Sequence, residues 1–152
     1  MRNVVSDLMN EADKVGYQSF YVNDSVDLNS ILANVDLTDS GIIMLILPVS
    51  GSSKFGKMGI TESYQHSTVL LFGRKTEQEE TISNVGETQK EKWDNRIYEL
   101  YNEGITFIEN FFAPCPDKNY TIDSSRWLQQ INKSSSNIDF AQIEISFTEW
   151  KQ

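Results

Sequence analysis

Cysteine, histidine and proline are scarce in this chain of 152 residues, which contains one, one and three of them. The lone Cys115 excludes an internal disulfide and a cysteine-rich zinc site, and it suits a protein made in a reducing compartment. His66 is the one imidazole from which a Ser-His-Asp or Cys-His catalytic site could be built. We expect Cys115, which follows a predicted helix, to be a small, half-buried packing residue rather than a nucleophile paired with His66.

Basic residues and long apolar runs are also scarce. Lysine and arginine number 13 against 22 aspartate and glutamate residues, so the formal net charge is −9. This balance argues against a free-standing nucleic-acid-binding module, which needs a basic face, and against docking on anionic lipid. No apolar run approaches the roughly 18 residues of a membrane-spanning helix, and acidic residues near the first residue argue against a signal peptide. We therefore expect no membrane partner.

Hydrophobic and aromatic residues are plentiful enough for a folded core. Hydrophobic residues make up 39% of the chain, and eight Phe, six Tyr and three Trp are too many for a disordered segment. The length is typical of a single domain, here 1–152. A chain of this size can bury enough surface to fold without disulfides or metals.

Apolar periodicity predicts an α+β fold. Spacings of three and four predict helices over 4–15 and 27–34, and a long helix from Gln89 to Phe112 in which Gly104 marks a close crossing over the sheet. We predict a mainly antiparallel sheet built from two hairpins, with one long amphipathic helix and a shorter N-terminal helix packed on a face. Strands are predicted at 18–22, 42–47, 64–74, 126–131 and 140–150.

The first predicted hairpin joins a buried strand to a polar loop. Ile42 to Leu47 is a continuous apolar run closed by Pro48, which is typical of a strand buried on both faces. Residues 49–59 are rich in Gly and Ser and predict a flexible loop, after which strand character returns from Tyr64 to Arg74. We interpret the two strands and the loop as one long antiparallel hairpin with a mobile tip.

Acidic clusters in the sequence have a simpler interpretation than catalysis. Asp36 with Asp39, and a second group of acids within the polar stretch 75–90, could bind a cation or serve as paired acids. Because both lie in polar surface stretches, we interpret them as solvated faces and expect no metal or other cofactor. The second group comprises Glu77, Glu79 and Glu80.

Aromatic residues near the long helix and the last hairpin are interpreted as packing groups. Trp93, Tyr98 and Tyr101 could form a stacking platform for bases, but Trp93 and Tyr101 fall on the apolar helix face, which favours core packing. Trp127 and Trp150 lie on the two predicted arms of the last hairpin, and we expect them to pair across it.

One stretch matches the G-x-x-x-x-G-K pattern of a phosphate-binding loop. Gly51 to Lys57 follows an apolar strand, as such a loop should. Three features count against nucleotide binding. Met58 stands where a magnesium-binding hydroxyl is needed, a β-rich run follows instead of a helix, and no apolar strand ends in an Asp placed as a second magnesium ligand.

The same loop is a candidate interaction arm. Lys54, Phe55 and Lys57 give it a local positive and aromatic character on an acidic protein, so it could meet an acidic surface of a neighbouring copy. Head-to-tail contacts of this kind close into rings when the rotation permits. The predicted subunit-interface loop comprises Ser50, Gly51, Ser52, Ser53, Lys54, Phe55, Gly56 and Lys57.

The order of elements resembles the tail-terminator or tail-completion proteins of tailed bacteriophages and related neck and tail ring proteins. The resemblance is one of architecture over most of the chain and includes no diagnostic short motif. The residues that carry it are Ile42 to Leu47 with Pro48-Val49-Ser50-Gly51, Thr68 to Lys75, Gln89 to Phe112, Trp127 to Ile131 and Phe140 to Phe147.

The resemblance implies a structural virion protein, made in the host cytoplasm, with no enzymatic activity. It implies a homo-oligomeric ring of six or twelve copies in the head–tail connector, neck or tail, contacting neighbouring connector or tail proteins. DNA would pass through the lumen without specific binding, because acidic walls repel phosphate. The alternatives are a small soluble nucleotide-binding or hydrolase domain that uses the Gly51–Lys57 loop, and a monomeric adaptor with no motif of its own.

Overall fold

The computed structural model has the predicted α+β class: a mostly antiparallel sheet with helices. It describes residues 1–38, 40–75, 90–91, 93–128, 132–133 and 138–152. The helices are α1 (Val4–Lys14), α2 (Ser25–Asn34) and α3 (Tyr98–Phe111), and α3 is preceded by a π-helical turn, Trp93–Ile97. The strands are β1 (Gln18–Tyr21), β2 (Ile42–Ile46), β3 (Ser50–Phe55), β4 (Thr61–Lys75), β5 (Tyr120–Trp127), β6 (Asn132–Lys133) and β7 (Ile138–Trp150).

The long strand β4 is the centre of the sheet. One of its edges pairs with β2 and β3, which lie end to end, and its other edge pairs with β7. The path of paired strands through the described residues is β1-β2-β4-β7-β5, with β1 parallel to β2 and the other pairs antiparallel. The sheet is therefore more than two hairpins, because a parallel strand extends one edge.

The prediction of a flexible loop over 49–59 is wrong for most of these residues. Ser50–Phe55 is a strand, and only the turn from Gly56 to Ile60 separates it from β4. Its Ser and Gly residues have low strand propensity, but the backbone pairs with β4 from Ser50 opposite Ser67 to Phe55 opposite Thr61. Pairing with a long neighbour overrides the local preference.

The second predicted hairpin also differs in detail. Strand β5 begins at Tyr120 rather than at residue 126, and the end of the predicted arm, 129–131, lies outside the described residues. The two tryptophans do not pair with each other, because Trp127 lies opposite Ile143 and Trp150 opposite Ser63.

Strand β2 is buried on both faces, as its apolar run predicts. Met44 faces the core beneath α1 and α3, and Leu45 faces a second core that α2 covers. Successive side chains of the strand thus point to two different apolar layers, with α1 and α3 on one face of the sheet and α2 on the other.

Helix α1 has clear start and stop signals. The Asn3 side chain accepts a hydrogen bond from the backbone N–H of Ser6 at 3.1 Å, which is the role of an N-cap. After Val15, Gly16 adopts a φ of +79°, a conformation that favours glycine, and the helix ends within one residue of the predicted position 15.

Helix α3 is shorter than the predicted Gln89–Phe112, because Trp93–Ile97 is wound as a π-helical turn and residue 89 lies outside the described residues. The close crossing predicted at Gly104 is confirmed. A Cβ there would lie 2.8 Å from Phe72 Cδ2 and 2.9 Å from Ile143 Cδ1, so the missing side chain lets α3 approach the sheet.

Candidate functional site

All eight residues of the predicted interface loop lie on one β-hairpin, which we call the β3–β4 arm (residues 50–67). Ser50–Phe55 forms β3, and Gly56 and Lys57 begin the turn into β4. The turn is closed by hydrogen bonds from Gly59 N to Gly56 O at 3.0 Å and from Gly56 N to Ile60 O at 2.8 Å. Gly59 has a φ of +72°, and a position with this backbone conformation in a short hairpin turn favours glycine.

The tip of the arm (residues 55–60) extends past the neighbouring strand. Strand β7 ends its pairing with β4 at Trp150, opposite Ser63, and the last contact is a hydrogen bond from Lys151 N to Glu62 O at 3.1 Å. Three large apolar side chains at this tip are exposed to solvent. They are Phe55 at 62%, Met58 at 87% and Ile60 at 58% of full exposure.

The tip also carries cations on a chain that is acidic as a whole. Lys54 and Lys57 are exposed, and the carboxylate of Glu62 lies against the backbone of Gly56, where a Cβ would meet Glu62 Oε1 at 2.4 Å. Apolar and cationic groups therefore share one projecting surface, an arrangement suited to contact with an apolar, acidic partner surface.

The geometry excludes a phosphate-binding loop at Gly51–Lys57. Such a loop wraps its N–H groups around phosphate and opens a helix whose N-terminus meets the anion. Here Gly51 to Phe55 is extended and paired with β4, and strand β4 follows the turn. A Cβ at Gly51 would lie 2.3 Å from Gln65 O, so this glycine serves close strand packing.

His66 forms a buried pair that the sequence did not reveal. Its Nε2 lies 2.8 Å from Glu149 Oε2, and both side chains are 6% exposed. The other carboxylate oxygen, Oε1, accepts a hydrogen bond from the backbone N–H of Arg2 at 2.8 Å. The two residues are 83 positions apart, and pairing of β4 with β7 brings them together, so no local signal could have found them.

Cys115 is exposed, which corrects the expectation that it is half-buried. It forms an isolated β-bridge with Lys118 in the turn after α3, and prolines at 114 and 116 flank it. The two prolines end the helix and place Cys115 in a surface turn. His66 is instead engaged by Glu149, so the structure provides no support for a Cys-His site.

A cavity of about 580 Å³ lies between the N-terminal turn of α1 and the β3–β4 arm. His66 forms part of its wall, and residues 50–53 of β3 form another part. Among the residues that the structure describes, no aspartate or glutamate lines it. The lining residues are Met1, Arg2, Asn3, Val4, Val5, Val49, Ser50, Gly51, Ser52, Ser53, Tyr64, Gln65 and His66.

A network of charged and phenolic groups fixes the chain beside this cavity. The guanidinium of Arg2 donates to Asp7 Oδ2 at 2.9 Å and to Asp117 O at 2.5 Å, and Tyr120 donates to Asp7 at 2.6 Å. Burial raises the pKa of Asp7, but the hydrogen bonds from Arg2 and Tyr120 outweigh it, so the pKa is lowered overall. Burial, together with the hydrogen bond to Asp7, raises the pKa of Tyr120.

The remaining candidate residues do not form a site among the residues the structure describes. Asp36 is exposed, whereas Asp39 and the acidic group at 77–80 lie outside those residues. In the described part of the chain, no group of three His, Cys, Asp or Glu side chains could hold a metal ion. Trp93 packs on Tyr101 with ring centroids 5.9 Å apart, and Tyr101 is buried, which matches the core-packing interpretation.

Comparisons with known proteins give no family. No protein-family model matches the sequence, and the search of curated proteins finds no similar chain. Among the described helices, none has the length and apolar character needed to cross a membrane.

Proposed function

We propose that this chain is a structural virion protein that assembles into a ring of six or twelve copies in the neck or tail of a tailed bacteriophage. In this role it joins capsid to tail, contacts neighbouring connector or tail proteins, and lets DNA pass without binding it specifically. The β3–β4 arm is the proposed contact between neighbouring copies. The proposal includes no enzymatic activity and no cofactor.

The observation that carries the proposal is the composition of the tip. Phe55, Met58 and Ile60 are each more than half exposed, although burying a side chain of this size contributes about 1.5–3 kcal/mol. Exposed apolar side chains grouped on a projection mark a surface that is covered by a partner. The turn and the paired strands hold the tip in place, which lowers the entropy lost on contact.

Charge favours contact between copies of the same chain. The tip presents Lys54 and Lys57, and the chain as a whole has a net charge of −9. A cationic tip that meets the acidic body of the next copy makes a head-to-tail contact, in which two different surfaces meet. Such contacts form a closed ring when the rotation between copies closes.

The experiment compares two serine substitutions at exposed apolar residues. Ile60→Ser removes an apolar group from the tip, and Val26→Ser removes one from α2, where Val26 is 72% exposed. Light scattering after size-exclusion chromatography measures the assembled mass. We expect Ile60→Ser to raise the concentration at which half of the chains are assembled by about tenfold, equivalent to about 1.4 kcal/mol per contact.

Val26→Ser is the matched control and should leave the assembled mass unchanged. Circular dichroism should show that both variants keep the fold, because neither side chain lies in a core. Equal effects of the two variants, or no assembly by the unmodified chain, would contradict the proposed contact.

A further inference from the structure

The cavity beside the β3–β4 arm differs in charge character from the chain as a whole. Acidic residues outnumber basic ones by 22 to 13 in the sequence, yet among the described residues none that lines the cavity is acidic. The lining includes Arg2, whose guanidinium is paired with Asp7, together with Ser50, Ser52, Ser53 and His66. An anionic group would meet no carboxylate among the described lining residues.

The orientation of His66 leaves one ring nitrogen free for a ligand. Nε2 is held by Glu149 at 2.8 Å, whereas Nδ1 has no hydrogen-bond partner among the described residues. Nδ1 lies on the side of Gly51, 3.6 Å from the position that a Cβ of this glycine would take. Both residues line the cavity, and glycine has no side chain to cover the nitrogen. A polar atom of a side chain that is 6% exposed therefore faces the cavity without a partner.

The first turn of α1 supplies donors to the same cavity. Asn3 accepts from the N–H of Ser6 through its side chain and from that of Asp7 through its carbonyl, at 3.1 and 3.0 Å. The residues Val4 and Val5 also line the cavity, and their backbone N–H groups have no acceptor among the described residues. Free N–H groups at a helix N-terminus favour an anion, and the helix dipole acts in the same direction.

We propose that this cavity binds an oxyanion, the carboxylate or phosphate group of a small ligand, between the His66 ring and the first turn of α1. In this site the His66 ring donates from Nδ1 to the bound anion, and the carboxylate of Glu149 accepts from Nε2. The site does not depend on the proposed ring, since every group named belongs to one copy of the chain.

Nuclear magnetic resonance tests this directly because His66 is the only histidine in the sequence. Protein labelled with ¹⁵N-histidine gives one pair of ring nitrogen signals, which are followed as inorganic phosphate, acetate or chloride is added at constant ionic strength and pH. We expect a saturable shift, larger at Nδ1 than at Nε2, with phosphate or acetate but not with chloride. Phosphate and acetate arms separate the two sources of the anionic group.

Two variants of one exposed residue in the cavity wall test the site without disturbing the fold. Ser53 is exposed, so Ser53→Asp and Ser53→Asn should both fold, and they differ in charge but hardly in shape. We expect Ser53→Asp to weaken binding of the responding anion by about tenfold or more and Ser53→Asn to have a much smaller effect. His66→Gln, followed through the Val4 and Val5 amide signals, should also weaken binding.

Three results would overturn the site. The first is the absence of a saturable shift with either oxyanion up to 50 mM (a concentration of roughly this order still detects weak binding). The second is an equal response to chloride. The third is equal binding by the Ser53→Asp and Ser53→Asn variants.

Discussion

At the residue scale, the buried His66–Glu149 pair links the central strand β4 to β7 and to the segment before α1. The Glu149 side chain is 6% exposed, and its carboxylate accepts from both the imidazole and the backbone N–H of Arg2. A buried charged group is stable only when its hydrogen bonds are satisfied, and here two donors satisfy it. We therefore expect the two residues to stabilise the folded state together and not independently of each other.

Removing one member of this pair should be costly. Glu149→Leu leaves the His66 ring nitrogen and the Arg2 N–H without an acceptor, so we expect a loss of about 3 kcal/mol in the free energy of unfolding. Urea denaturation measures it. His66→Leu in the Glu149→Leu background should cost less than His66→Leu alone, and additive losses would show that the two residues do not interact.

Asp7 gives a pH dependence with a definite sign. Its pKa is lowered in the folded state from an ordinary value of 3.8, so its charge stabilises the fold above that pH, and the contribution is lost as pH falls through the folded value. Asp7→Asn should lower the free energy of unfolding by about 2 kcal/mol at pH 7, through weaker hydrogen bonds with Arg2 and Tyr120. Denaturation of both proteins at pH 7 and pH 3 (about one unit below 3.8) should show the difference shrinking, and a constant difference would contradict this role.

At the element scale, helix α3 depends on a single small residue. Alanine normally stabilises a helix by about 1 kcal/mol relative to glycine. At Gly104 its Cβ would lie within 3 Å of Phe72 and Ile143, so we expect Gly104→Ala to lower the free energy of unfolding by about 1–3 kcal/mol. Asn102→Ala on the exposed side of α3 is the control and should change the free energy of unfolding little. Stabilisation by Gly104→Ala in urea denaturation would mean that the helix does not approach the sheet so closely.

Some elements could be predicted from the sequence because a short stretch of residues is enough to indicate them. The apolar run of β2 and the glycine at position 104 are each visible in a short stretch of sequence. Strand β3 could not, since Ser and Gly give it neither alternation nor strand propensity, and its conformation comes from pairing with β4. Parallel β1 and the His66–Glu149 pair depend on contacts between distant segments, which periodicity does not encode.

At the scale of the whole molecule, charge is distributed unequally over the protein. The body is acidic, the arm tip is cationic and apolar, and the cavity beneath the arm has no acidic wall residue. The eight loop residues predicted as an interface do share one hairpin, but their contact with a second copy stays a prediction.

Salt concentration should distinguish the electrostatic part of the proposed contact from its apolar part. The Debye length falls from about 10 Å at 0.1 M salt to about 3 Å at 1 M, so attraction between Lys54 or Lys57 and an acidic surface weakens. We expect higher salt to reduce assembly of the unmodified chain, measured by light scattering. A variant carrying Lys54→Glu and Lys57→Glu should assemble poorly and lose this response, and an identical salt response in both would contradict the electrostatic role.

Native mass spectrometry of the purified chain over a wide concentration range shows whether the chain assembles into a ring. We expect a closed oligomer of six or twelve copies whose mass is unchanged by Mg-ATP, because the Gly51–Lys57 segment is a strand and a turn rather than a phosphate-binding loop. A monomer at every concentration, or a chain that retains ATP in a manner lost in Lys57→Ala, would contradict it.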